Sequence, residues 1–125
     1  MRECKITGAD DDFLCRLALL QAMITGSAVL ILSATKKAAI EIRDTMTVAC
    51  DQFPMLRLTA NDRTKLAFDN DSRILFRVAR PWAGCGLSIS LLIINETESI
   101  KQLDDLFAAL LPTLSIHARA IFCTK

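Results

Sequence analysis

Few side chains in this sequence could do chemistry by type, and most of those fail on spacing. Five cysteines stand at positions 4, 15, 50, 85 and 123, with no Cys-x-x-Cys pair among them, and His117 is the single histidine. Zinc sites gather thiolates and imidazoles at short intervals, and secreted disulfide frameworks pair an even count of cysteines. The cysteines therefore read as reduced, mostly buried thiols of a cytosolic protein, and His117 as a surface or capped side chain. Two polar clusters remain. Asp10-Asp11-Asp12 precedes a helical run, where it reads as an N-cap with an acidic first turn rather than a cation site shared with Glu96. Asn95-Glu96 ends the aliphatic run Leu91-Leu92-Ile93-Ile94. That pair emerges at the carboxyl end of a buried strand, where open α/β sheets place ligands. A plain strand end and a relic site both fit it.

Composition bounds what these residues can serve. The 125 residues suit one domain, 1–125, and 52% hydrophobic content supplies a core, which excludes disorder. Lys plus Arg total 15 against 14 acids, a net charge of +1, so no global field draws the chain to nucleic acid or acidic lipid. Four glycines and three prolines exclude a collagen-like or low-complexity chain. Apolar runs such as residues 28–32 fall far short of the ~20 residues that span a bilayer. The mixed-charge start Met1-Arg2-Glu3-Cys4-Lys5 is no signal peptide. The expected location is the cytoplasm.

The elements that must position these residues follow from pattern. The aspartate cluster opens a helix closing near Gly26. Residues 28–32 form a strand buried on both faces, as in a parallel sheet. A helix over residues 35–50 turns Ala39, Ile42 and Met46 inward. Residues 64–68 and 73–78 alternate and are joined by the turn Asp69-Asn70-Asp71-Ser72. This hairpin faces Leu66, Phe68, Ile74, Phe76 and Val78 inward and Lys65, Arg73 and Arg77 outward. A Gly-bearing loop carries Trp82 as a local core plug. A second doubly buried strand (91–94), a helix over 100–110 that stops at Pro112, and a strand over 120–123 complete the chain. The order implies α/β architecture, with a mainly parallel sheet between helices on both faces.

Residues 68–125, running FDNDSRILFRVARPWAGCGLSISLLIINE, an acidic helix and LLPTLSIHARAIFCTK, resemble the ATPase domain of large terminase subunits. These are the DNA-packaging motors of tailed phages, including the T-even type. That family has an Asn-Gly-Ser hairpin, an alternating strand, an Arg-Gly-x-Ser loop and an aliphatic strand ending in Asp-Glu. SAVLILSATKKAAIEIRDTM is similar to the family's next strand and helix after its Walker A helix. Counting back sets residues 4–12, CKITGADDD, where the family carries its phosphate-binding loop. The resemblance implies a three-layer P-loop NTPase (RecA-like) fold with an antiparallel hairpin.

The departures matter more than the matches. On this register Gly8 keeps the glycine before the loop lysine, Ala9 takes the lysine place and Asp10 the hydroxyl place, while Lys5 matches an earlier basic residue. A triphosphate carries about four negative charges, and two unit charges 4 Å apart interact by roughly 4 kcal/mol at an effective dielectric of 20. Exchanging the lysine for acids turns attraction into repulsion that a helix dipole cannot offset. Asn95 stands where the family's magnesium-binding Asp belongs, and Glu96 where its catalytic base belongs. Cys85 takes the place of the loop arginine, and Cys123-Thr124-Lys125 that of the coupling motif, and the expectation is a chain lacking the family's nuclease domain. The expectation is a degenerate, non-catalytic binding or regulatory module in phage DNA packaging, with no cofactor. A Mg-nucleotide-binding fragment completed by a partner subunit, which alone would need ATP and magnesium, and a decayed prophage remnant stay open. Around the outward Lys65, Arg73 and Arg77, with Arg63 and Arg80, three aspartates leave a local charge of +2. That is small beside surfaces making roughly 6–10 phosphate contacts. Self-association or an acidic protein partner is expected before DNA.

Overall fold

Residues 28–33 are buried without exception because they form the central strand of a sheet covered on both faces. The computed structural model describes residues 2–8, 10–84 and 86–124, apart from the side chains of Arg2 and Ile116. Its elements are β1 (Arg2–Thr7), α1 (Asp11–Ala22), β2 (Ala28–Ser33), α2 (Lys36–Ala49), β3 (Leu58–Asn61), β4 (Lys65–Phe68), β5 (Arg73–Val78), β6 (Ile89–Ile94), α3 (Leu103–Leu110) and β7 (Leu114–Thr124). They build one sheet in the order β1-β7-β6-β2-β5-β4-β3. The first five strands of that order run parallel, and β4 and β3 extend it antiparallel.

Alternation along the inner strands feeds two cores. Val29, Ile31, Ile74, Phe76, Leu91 and Ile93 pack under α1 and α2 with Leu14, Leu19, Ile42 and Met46. Leu30, Leu32, Leu75, Leu92, Ile94 and Phe122 pack on the other face under α3 and the loop before β6, with Leu106, Leu110 and Ala83. Each such aliphatic side chain contributes about 1.5–3 kcal/mol on full burial. Phe107 of α3 meets Phe122 edge-on at 5.1 Å between ring centroids. The three-layer, mainly parallel α/β arrangement expected from the sequence is therefore the one observed.

Four details differ from the expectation. β4 alternates as read, but β5 buries Leu75 along with Ile74 and Phe76, and leaves Val78 only half-buried. The reason is that β5 lies parallel beside β2, with cover on both faces. β1 and β3 were not foreseen: β1 pairs with β7 along its length, and β3 is an exposed edge strand. β7 begins at Leu114, six residues before the expected start. Trp82 is no core plug, for it is 64% exposed with the Arg80 guanidinium 5.7 Å from its ring centroid.

The thiols divide by burial. Cys15, Cys50 and Cys123 are buried and Cys4 is exposed, and all four are free. His117 is exposed. Among the described residues no helix is long and apolar enough to cross a membrane.

Candidate functional site

The carboxyl ends of β1, β7, β6, β2 and β5 lie along one edge of the parallel sheet, and the candidate nucleotide and metal residues fall there or close by, whereas Arg73 begins β5 at the opposite edge. At β1 the chain has no room for a wide phosphate loop. Residues 4–7, expected in that loop, belong to the strand, and residues 8–10 alone link β1 to α1. Gly8 has a φ of 77°, a left-handed turn open to glycine, and its N–H donates to the Thr124 carbonyl at 2.8 Å. Asp10 is the N-cap of α1, and its Oδ1 accepts the Phe13 N–H at 2.9 Å. Asp11 and Asp12 fill the first helical turn, Asp12 pairing with Arg16 at 3.5 Å on the surface. The capping role expected of this cluster is the one it performs. Ala9, Cys85 and Lys125, which carried three of the departures read from the sequence, lie outside the described residues.

Lys5 pairs in register with Phe122 and shares its face, away from α1. There it lines a pocket of about 330 Å³ with Thr7, Thr97, Asp104, Phe107 and Thr124. Lys5 and Asp10 therefore do not converge on one anion. A cradle of backbone N–H groups, a lysine and a hydroxyl is what a triphosphate requires. The described residues here offer a spent capping carboxylate and two further acids instead, so they do not fit that group.

Two strands from β1, β6 delivers Asn95 and Glu96. Asn95 is buried, and its N–H still donates to the Leu32 carbonyl at 2.9 Å, extending the ladder to β2. Glu96 is half-buried in the left-handed region, φ 54° and ψ 52°. A non-glycine residue held there costs roughly 1–3 kcal/mol, and such strain clusters at functional positions. Its carbonyl accepts the Ser99 N–H at 2.9 Å, closing a short 3₁₀ turn at Thr97–Ser99. Beside this pair stands Ser33, the last residue of β2, which no sequence motif marks. Ser33 is 1% exposed, and among the described residues its Oγ is the buried side-chain oxygen without a hydrogen bond. A hydroxyl closing an apolar strand was the available signal. No three His, Cys, Asp or Glu side chains gather among the described residues in a way that would hold a metal ion. Asn95 and Glu96 are thus brought together at the strand end.

The residues expected as a partner surface share one face of the hairpin. Lys65 and Ala67 pair with Leu75 and Arg73, so Lys65, Arg73 and Arg77 project from one side of the hairpin. Arg77 is drawn inward, however, donating to the Ala83 carbonyl at 2.5 Å.

An open, mainly parallel sheet between helical layers, with polar strand ends along one edge, defines a three-layer, doubly wound α/β fold. Comparison with solved structures finds this fold in ATPase domains and whole chains of phage large terminases and in a viral genome packaging motor assembly. The large terminase ATPase domain of Thermus phage P74-26 superposes at a TM-score of 0.70 with 15% identity, covering 98% of this chain and 59% of that one. The large terminase of a thermophilic bacteriophage, solved in complex with ADP, gives 0.73 with 7% identity, covering 98% and 33%. The bacteriophage Phi-29 viral genome packaging motor assembly gives 0.69 with 12% identity, covering 98% and 42%. The chain spans about three-fifths or less of the length of these proteins. No family model and no curated protein sequence matches it. The chain is a terminase-ATPase-like domain in fold.

Proposed function

We propose that this domain is a non-catalytic binding or regulatory module of phage DNA packaging, working through protein contacts. The observation that carries the reading is the link between β1 and α1. It spans residues 8–10, and its Asp10 carboxylate is already used as a helix cap. An apolar strip along α1 supports a protein partner or self-association: Phe13 and Leu20 are exposed, with Met23 at the C-cap and Ile24 just beyond it. A Mg-nucleotide site completed by another subunit is a second reading, favoured by the unbonded Ser33 hydroxyl beside Asn95 and Glu96.

The test pairs phosphate release with light scattering. Incubation with magnesium and ATP should yield no phosphate above background, and the chain should self-associate through α1 in a manner that Leu20→Glu abolishes. Steady phosphate release that disappears in Glu96→Ala would overturn the non-catalytic reading. A monomeric chain that binds duplex DNA at submicromolar concentration near physiological salt, and loses that binding in Arg73→Ala, would overturn the preference for protein partners.

A further inference from the structure

A cavity of about 410 Å³ opens at the carboxyl end of β5, between the start of α2, the β3–β4 turn and the loop after β5. Across the sheet it lies four inter-strand spacings from β1, roughly 19 Å, and it shares no residue with the strand-end cluster described above. Four cations line it, Lys36, Arg63, Arg77 and Arg80, together with Trp82, and no carboxylate does. Among the described residues the ion pairs are Arg16–Asp12 and Arg43–Asp44, so none of the four cations is neutralised by an acid.

The surrounding structure fixes this arrangement. Arg43 of α2 donates to the Asp62 carbonyl at 2.9 Å and also bonds Asn61, holding the turn that presents Arg63. The Asp62 carboxylate, the acid nearest in sequence, is occupied by Thr64, accepting its N–H at 2.9 Å and its hydroxyl at 3.1 Å. Arg77 is oriented by the Ala83 carbonyl. Lys36 is the first residue of α2, whose Thr35 cap marks the positive end of the helix dipole. Like charges gathered without counter-charge repel one another, and an anion relieves that repulsion while guanidinium forks match phosphate oxygens. Trp82 is exposed beside Arg80, so its ring is open to stacking.

We infer that this cavity binds a small phosphate ester bearing an aromatic ring, of the size and chemistry of a nucleoside di- or triphosphate. Its phosphates meet Lys36, Arg63, Arg77 and Arg80, and its ring lies against Trp82. The volume falls within the range of about 300–1,000 Å³ typical of small-molecule sites. With no carboxylate in the lining, binding needs no metal, and magnesium, by neutralising the phosphates, weakens it.

Trp82 is the chain's single tryptophan, so its fluorescence reports on this cavity alone. The whole chain is titrated in EDTA with ADP, with inorganic phosphate and with a short thymidine oligonucleotide, and each titration is repeated by calorimetry. ADP should change the signal saturably and bind more tightly than inorganic phosphate. Added salt should weaken it, and Arg63→Ala/Arg80→Ala should weaken it about tenfold or more. Both arginines are exposed, so an unchanged melting curve confirms that this variant stays folded. Three results overturn the proposal: no saturable ADP binding by either method, unaltered affinity in the double variant, or oligonucleotide binding without ADP binding, which would make the cavity part of a nucleic-acid groove. Binding that requires magnesium and fails in Glu96→Ala would move the site to the end of β6 and overturn it as well.

Discussion

Asn70 gives the sharpest test of how the hairpin is held. It sits in the turn between β4 and β5, and three side-chain hydrogen bonds converge on it. Its Nδ2 donates to the Ala22 carbonyl at the end of α1 at 2.8 Å, while its Oδ1 accepts from the Ser72 N–H at 3.1 Å and the Ser72 hydroxyl at 2.5 Å. Its carbonyl also accepts the Gly26 N–H at 3.0 Å. Asn70→Ala removes the three side-chain bonds, each contributing about 0.5–1.5 kcal/mol net, and strands the hydroxyl of a Ser72 that is 1% exposed. The expected loss is about 3 kcal/mol, or a fall in Tm of roughly 12 °C at some 4 °C per kcal/mol. Urea denaturation of the single and double variants apportions it. Ser72→Ala alone should cost about 1 kcal/mol, and in the double variant the stranded hydroxyl no longer exists. The double variant should therefore lose about 1–2 kcal/mol less than the sum of the singles. A loss under about 1 kcal/mol for Asn70→Ala, or strict additivity, would refute the hub role.

Two further perturbations follow from packing and burial. A Cβ on Gly84 would meet Thr113 Oγ1 at 2.7 Å and Leu110 Cδ2 at 3.1 Å, so Gly84→Ala should cost about 1–3 kcal/mol in a urea melt and add less than its full cost on top of Thr113→Ala. Burial pushes the Cys15 thiol up to about 12 from 9.0, with Asp11 and Asp12 adding to it, and the Cys123 thiol up to about 11. The native state therefore holds these protons where the unfolded chain releases them. That contribution is complete below pH 9 and is lost as pH rises towards 11–12, by about 1.4 kcal/mol per pH unit for each thiol. Denaturation midpoints between pH 8 and 11 should fall more steeply in the wild type than in Cys15→Ala. Under native conditions Cys4 should alkylate ahead of Cys15, Cys50 and Cys123, and after denaturation without reductant all five thiols should react.

Local pattern carried the inner elements of the fold and failed at its edges. β2 and β6 are unbroken aliphatic runs, and α1 and α2 announce themselves by caps and helical spacing, with Thr35 Oγ1 accepting the Ala38 N–H as the pattern implies. β1 reads Arg-Glu-Cys-Lys-Ile-Thr and β3 reads Leu-Thr-Ala-Asn, each with only two apolar residues to carry an alternation. What makes each a strand is the hydrogen-bonding edge of a neighbour, β7 for one and β4 for the other, and that neighbour is distant in sequence for β1. Residues 4–7, read as part of a phosphate loop, lie in β1 for the same reason: counting back from β2 allowed no strand in residues 2–7.

The site divides along similar lines. A cap and a strand end are local devices, so Asp10 and the Asn95-Glu96 pair were legible in place. The cationic cavity was not, because Lys36, Arg63, Arg77 and Arg80 come from α2, a turn and the end of β5 and its following loop. Along β5 alone, Arg73 and Arg77 read only as an outward face. The division has an energetic side. Asp10, Asn95 and Glu96 lie at the ends of elements, whereas the two cores rest on residues such as Leu30, Ile31, Leu92 and Ile93 inside β2 and β6. Burial in those strands does not depend on what their carboxyl ends present. An acid can therefore cap α1 at the link after β1, and an asparagine can end β6, while the sheet keeps its order. Fold likeness across 98% of the chain at 7–15% identity is what that independence permits. It is also why the chemistry of this domain must be argued from its strand ends and its cavity rather than from its sheet.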